Sequence, residues 1–312
     1  MIVIEKYNFD KKSNWDSFIS SAKNGHFMFC RDYMDYHSDK FEDSSSMFYD
    51  KNKLVAVLVA SGRDDVVYCH QGLTFGGLIM SKAIRTEQVL ECFELLYNFY
   101  KEKGYNKIVY KAIPHIYHHY PAEEDLFAIT RYKCNLIRRD ISSAVCLHDR
   151  IPYTESRKSS IRKFQRSNVV ISETNDISEF MGILADVVIK HGVTPVHTVE
   201  EVNLLMSRFP DNIKLVAAYL DNQLVAGTLL FINKPVIHTQ YMASSALGQE
   251  IGALDGIIDY LIKTYSQNTG FSYLNFGIST YNNGKDLNNG LIFQKEGFGA
   301  RAIVHDFYEV RL

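Results

Sequence analysis

The sequence is short of the features that would send it to a membrane, an oxidising compartment or nucleic acid. No stretch approaches 18 consecutive apolar residues, so nothing in it is expected to span a bilayer. The opening MIVIEKYNFDKKSNW lacks the basic segment and apolar run of a secretory signal. Five cysteines (Cys30, Cys69, Cys92, Cys134, Cys146) are odd in number and contain no C-x-x-C pair. That argues against a disulfide framework and a thiolate zinc site, and predicts reduced thiols in a cytoplasm. Charge of one sign is also missing. With 34 Lys and Arg against 36 Asp and Glu, the net charge of −2 encodes no overall attraction to nucleic acid or an anionic surface.

What is abundant is the aromatic ring: 20 Tyr and 19 Phe against the single Trp15, enough to line clefts with tyrosine as well as fill cores. The 312 residues, 46% apolar and 22% charged, suit two soluble domains, each of about 150 residues and able to bury its own core. The order of predicted elements says the same. Strands at 47–49 and 54–60 flank the polar turn Asp50-Lys51-Asn52-Lys53, a third strand covers 66–69, a helix starts at Thr86, and a fourth strand covers 108–112. The order recurs as strands at 213–220, 224–232 and 236–242, a helix near 252–265 and a strand at 273–276, and Leu54-Val55-Ala56 recurs as Leu224-Val225-Ala226. Two more helices are predicted ahead of the second copy, from about Ile177 to Lys190 and from about Val199 to Arg208. His148, Asp149, Arg150 and Pro152 break the strand pattern between the copies, giving domains 1–150 and 151–312.

Candidate chemistry gathers at 271–299. A short aromatic strand ends at Gly277, and a loop dense in hydrogen-bonding side chains comes next, from Ser279 through Tyr281 to Asn289. The stretch closes on Gln294-Lys295-Glu296-Gly297-Phe298-Gly299, which taken alone reads as a β-bulge with a solvated lysine, or as glycines that would let backbone N–H groups approach an anion beside that lysine. Gly248 to Ala253, including Gln249 and Gly252, is read as a strand-to-helix turn, either a plain connection or one whose free N–H groups would receive a pyrophosphate. Arg157, Arg162 and Lys163 belong to a basic segment of helical period suited to a phosphate-bearing ligand or a solvated face. Gly72, Thr74, Phe75 and Gly76 of GLTFGG are expected to let backbone approach the acceptor or the other domain. The same GLTFGG lacks both the Walker lysine and the dinucleotide glycine spacing. His115, Glu124 and Asp125 are candidates for a general base or for loop hydrogen bonds. His115, His118 and His119 come after Pro114 without a helical register, so no metal site is expected.

Two α/β units in tandem, a basic helix at their junction (Arg157, Ile161, Arg162, Lys163) and the ending Phe293-Gln294-Lys295-Glu296-Gly297-Phe298-Gly299 together resemble the FemAB group of the GNAT acyltransferase superfamily. The resemblance implies an α/β fold of two tandem GNAT-like units, each a mixed, mostly antiparallel sheet flanked by helices, with the active centre in the second. It implies an N-acyltransferase that moves an acyl (acetyl) or aminoacyl group to an amine of a cell-envelope precursor or amino sugar. Lys295 stands where the FemAB lysine faces the reacting acyl group, and Tyr281 would protonate the leaving group. The acyl-CoA pattern is half met by Gln249, Gly252 and Ala253, with Leu254 where Gly or Ala belongs. No coiled-coil arm of the kind associated with tRNA is present, so acyl-CoA is favoured over aminoacyl-tRNA as donor. A non-catalytic glycan- or peptide-binding protein on the same double fold is the alternative.

Overall fold

The computed structural model describes residues 1–189 and 194–312, and these form two compact units. The first is Met1–Ile141 with Tyr281–Asp286 and Val304–Leu312; the second is Ser142–Thr280 with Leu287–Ile303. A single cut near 150 therefore does not describe the division. The last strand pairs with a strand of the first unit, and no linear reading of composition reports that pairing.

The first unit contains β1 (Ile2–Lys6), α1 (Lys12–Ser21), α2 (Arg31–Met34), β2 (Glu42–Asp43), β3 (Ser46–Asp50), β4 (Lys53–Val59), β5 (Ser61–Arg63) and β6 (Val66–Tyr68). It continues with β7 (Gly77–Met80), α3 (Thr86–Glu102), β8 (Lys107–Lys111), α4 (Glu124–Ile129) and the start of β9 (Cys134–Cys146). In the second unit, α5 (Glu155–Gln165), β10 (Val170–Thr174), α6 (Ile177–Ile189) and α7 (Val199–Arg208) precede β11 (Ile213–Leu220), β12 (Gln223–Asn233) and β13 (Val236–Ser244). Lys190, the expected end of α6, lies outside the described residues. Along the chain then come α8 (Ala246–Ile251), α9 (Ala253–Ser266), β14 (Tyr273–Ile278), a two-stranded ribbon of β15 (Thr280–Tyr281) and β16 (Asp286–Leu287), α10 (Asn289–Glu296) and β17 (Arg301–Arg311), of which Tyr281–Asp286 and Val304 onward belong to the first unit.

Both predicted hairpins form, and for one reason. Lys51-Asn52 and Asp221-Asn222 each place two consecutive residues at positive φ, the two-residue turn whose twist matches that of the paired strands. In the first unit, though, the third strand is split. Tyr68 pairs with Ser61 and Gly77 pairs with Val59, so residues 69–76 loop out between partners two apart. β6 lies parallel to β8, and β8 pairs antiparallel with β17.

The second unit keeps its third strand whole, in the order β10-β11-β12-β13-β14-β9. All pairs are antiparallel except β13 with β14. α9 buries Ile257, Ile258, Leu261 and Ile262 against Val225, Leu230, Leu274 and Phe276, a helical stripe on a sheet face. Two irregularities interrupt this sheet. β13 and β14 pair only over Val236–His238 and Tyr273–Asn275, after which they diverge. Just past that point Leu229 faces Tyr241 while Leu230 faces Thr239, so Gln240 is a bulge.

Candidate active site

Where β13 and β14 part, the second unit has a cleft of about 530 Å³. Met242, Ala243 and Ser244 at the end of β13 form one wall, and Arg157 and Ser160 of α5 another. Gly248, Gln249 and Gly252 at the α8–α9 joint, Leu254 and Asp255 of α9, Leu291 and Gln294 of α10 and Val187 of α6 complete it. The stretch 248–253 is thus a joint between two helices. β13 enters α8 at Ser245, whose hydroxyl accepts from the Gly248 N–H, and Gly252 breaks the helix at φ +74. A Cβ at Gly252 would lie 2.7 Å from the Ser160 carbonyl oxygen, so glycine is required for α5 to approach. Gly252 donates its N–H to the Gln249 carbonyl and Ala253 is buried.

The charge in the cleft is a pair. Arg157 Nη1 donates to both carboxylate oxygens of Asp255, at 2.7 and 2.9 Å, with Asp255 in the first turn of α9. Its Nε and Nη2 have no acceptor among the described residues. The guanidinium also lies 5.6 Å from the Phe298 ring centre, and Gly297 permits that packing, because a Cβ there would meet Arg157 Cγ at 2.9 Å.

Lys295 is in the last turn of α10, a helix capped by Asn288, and not in a glycine loop. Its side chain is buried, 3% exposed, and its three donors go to the Gly277 carbonyl (2.8 Å), the Ile278 carbonyl (2.8 Å) and Ser279 Oγ (2.9 Å). Burial pushes its pKa down to about 7, against acceptors that favour the ammonium. No donor is left for an oxyanion. Lys295 thus fixes the end of β14, where Gly277 turns at φ +72. Beside it a narrow apolar recess opens off the cleft, walled by Met242, Leu254, Ile258, Phe276, Leu291 and Phe298.

The expected residues divide. Arg157, Gln249, Gly252 and Lys295 line the cleft or its recess. Arg162 and Lys163 are on the exposed face of α5. Tyr281 is 58% exposed, belongs to the first unit and lines neither space. The GLTFGG residues are also in the first unit, where they pack against it: a Cβ at Gly72 would strike His37, and one at Gly76 the Cys69 carbonyl. Phe75 is buried among His26, Phe29 and Tyr117, and Thr74 is exposed. His115 is exposed, and Glu124 pairs with the buried Lys23. Asp125 is buried, accepts from Tyr110 Oη, and is pushed up to about 6 by burial. It holds the β8–α4 packing, so Asp125→Asn is expected to lower the unfolding midpoint by a few degrees and leave any transfer rate within about twofold. A tenfold loss of rate in the folded variant would restore Asp125 as a base. Among the described residues, no three His, Cys, Asp or Glu side chains group as metal ligands, and no helix is long and apolar enough to cross a membrane.

Sequence reasoning missed Asp255, Ser160, Met242, Leu291 and Gln294 as cleft residues. Leu254 had carried a signal, as the bulky residue in a small-residue position.

No family model and no curated protein matches the chain. Solved structures do. FemX aligns with a TM-score of 0.71 at 10% identity, over 99% of this chain and 97% of that one. L-PGS from Bacillus licheniformis gives 0.63 at 12%, over 98% and 93%. The C-terminal domain of a protein named as a lysylphosphatidylglycerol synthetase from Agrobacterium fabrum gives 0.55 at 11%, over 82% and 80%. At these identities the likeness is one of fold. The chain has the fold of FemX and of L-PGS, two mixed, mostly antiparallel α/β units flanked by helices.

Proposed function

We propose that the second unit transfers an aminoacyl or acyl group to an amine of a cell-envelope precursor or amino sugar in the cytoplasm. The observation that carries this is the gap between β13 and β14, which opens on a cleft holding one ion pair and one apolar recess. Past His238, β13 has β12 on one edge and, among the described residues, no strand on the other, so its backbone groups can bind a reacting carbonyl there. The Lys295 charge beneath the end of β14 would favour negative charge developing nearby.

The balance between donors shifts from the one the sequence suggests. A CoA pyrophosphate would meet the Asp255 carboxylate beside Gly252 and a cleft of no net charge. An aminoacyl donor carries an α-ammonium that Asp255 can accept while Arg157 Nε and Nη2 take a neighbouring phosphate oxygen. The name of the lysylphosphatidylglycerol synthetase structure contains a lysyl group and supports the aminoacyl reading, for which tRNA is the proposed carrier. The test is label transfer from aminoacyl-tRNA and from acetyl-CoA to a panel of amino sugars and peptidoglycan precursors. Amide-linked label from the aminoacyl donor is expected. Tight binding of a glycan or peptide with both donors left intact would replace transfer with the binding-protein reading.

A further inference from the structure

Past His238 the edge of β13 is no longer paired with β14, and two other ties meet there at Tyr241, one residue beyond the Gln240 bulge. The Tyr241 carbonyl accepts from Thr228 Oγ1 of β12 at 3.0 Å, and the Tyr241 hydroxyl shares a hydrogen bond of 2.7 Å with His197 Nδ1. The two rings also meet edge to face, with centroids 5.8 Å apart. Tyr241 stands opposite Leu229, which alternates with the Leu230 that packs under α9, so the phenol leaves the sheet on the face away from α9. Its neighbour Met242 lines the cleft. A clip on one face of the strand is thus one residue from the cleft wall.

His197 is itself firmly placed. It is 9% exposed and directly precedes Thr198, which caps α7: Thr198 Oγ1 accepts from the Glu201 N–H, and Glu201 Oε2 accepts from the Thr198 N–H. Because α7 buries Val202, Leu205 and Met206, the imidazole is anchored at the start of a packed helix. Burial raises the Tyr241 pKa, which keeps its hydroxyl protonated.

We infer that His197 is a positioning residue for transfer: through Tyr241 it holds the free edge of β13 at which the reacting carbonyl binds. The inference rests on the transfer reading above. Neither His197 nor Tyr241 lines the cleft or its recess, so breaking their bond loosens the edge without removing a donor contact. A reacting group misplaced by about 1 Å can lose about 10²-fold in rate.

Initial rates are measured on the full chain with whichever of aminoacyl-tRNA and acetyl-CoA labels the acceptor panel. Tyr241→Phe and His197→Leu should each lower kcat about tenfold and leave the donor KM within about twofold. Both remove the same bond, so the double variant should be no slower than the slower single one. His197→Asn offers an acceptor oxygen near the place of Nδ1, and should bring kcat back to within about threefold of wild type. Tyr241→Phe changes a single oxygen and stands in if His197→Leu fails to fold. A folded Tyr241→Phe with wild-type kcat, even one with a lower unfolding midpoint, overturns the positioning role while leaving transfer standing. Additive losses in the double variant do the same. Absence of label transfer from both donors with folded wild type sinks the transfer reading itself, and the positioning role with it.

Discussion

Lys295→Met is expected to cost roughly 2–5 kcal/mol, because the Gly277 and Ile278 carbonyls and the buried Ser279 hydroxyl lose their shared donor. For a domain of this size that is on the order of 10 °C in the unfolding midpoint. The effect should depend on pH in one direction. The folded pKa of Lys295, about 7, is below the ordinary 10.5, so between those values the unfolded chain holds a proton that the folded chain lacks. Stability from this group is therefore complete above about 10.5, and is lost as pH falls toward 7. The gap between wild type and Lys295→Met should widen on going from pH 6 to pH 9, by at most about 1.4 kcal/mol per pH unit. Urea unfolding of both proteins at pH 6, 7.5 and 9 measures it. A gap that does not change with pH would show that Lys295 titrates in its ordinary range.

The second large effect is at the ion pair. Arg157→Ala leaves Asp255 in the cleft wall without its guanidinium, and unpaired buried charges of this kind cost about 3–5 kcal/mol. Arg157→Met combined with Asp255→Leu removes both charges and keeps the volume, so stability should return to within about 1 kcal/mol of wild type. Donor binding should not return, because the groups proposed to read the α-ammonium and phosphate are gone. Thermal unfolding and donor titration on the single and double variants separate the two roles. A double variant that recovers donor affinity along with stability would reduce Arg157 and Asp255 to a structural clip.

The parts of this structure that could be read in the sequence are those decided by neighbouring residues. The hairpins at Lys51-Asn52 and Asp221-Asn222 depend on two-residue turns, and the buried face of α9 on a repeating apolar stripe. Lys295 stood out because two glycines come soon after it, yet the same glycines suggested a loop where Asn288 caps a helix. The ion pair was hidden for another reason. Arg157 and Asp255 are 98 residues apart, and only the close approach of α5 to the joint at Gly252 brings them together. The split third strand of the first unit was equally hidden, since 66–69 and 77–80 both have strand composition and nothing local says that the residues between them loop out.

The pairing of β17 with β8 bears on how this chain is made. A ribosome delivers the first 141 residues early, and domains usually fold in order of synthesis. Here β8 must wait for Phe307–Arg311, with Ile108 opposite Val310, before that edge is covered. For most of translation the earlier unit therefore carries an unsealed strand edge, a surface open to chaperones and to stray β-pairing. For the same reason, a gene cut between the two copies yields no complete module, so exchanging one half between relatives would need the tail to travel with the head.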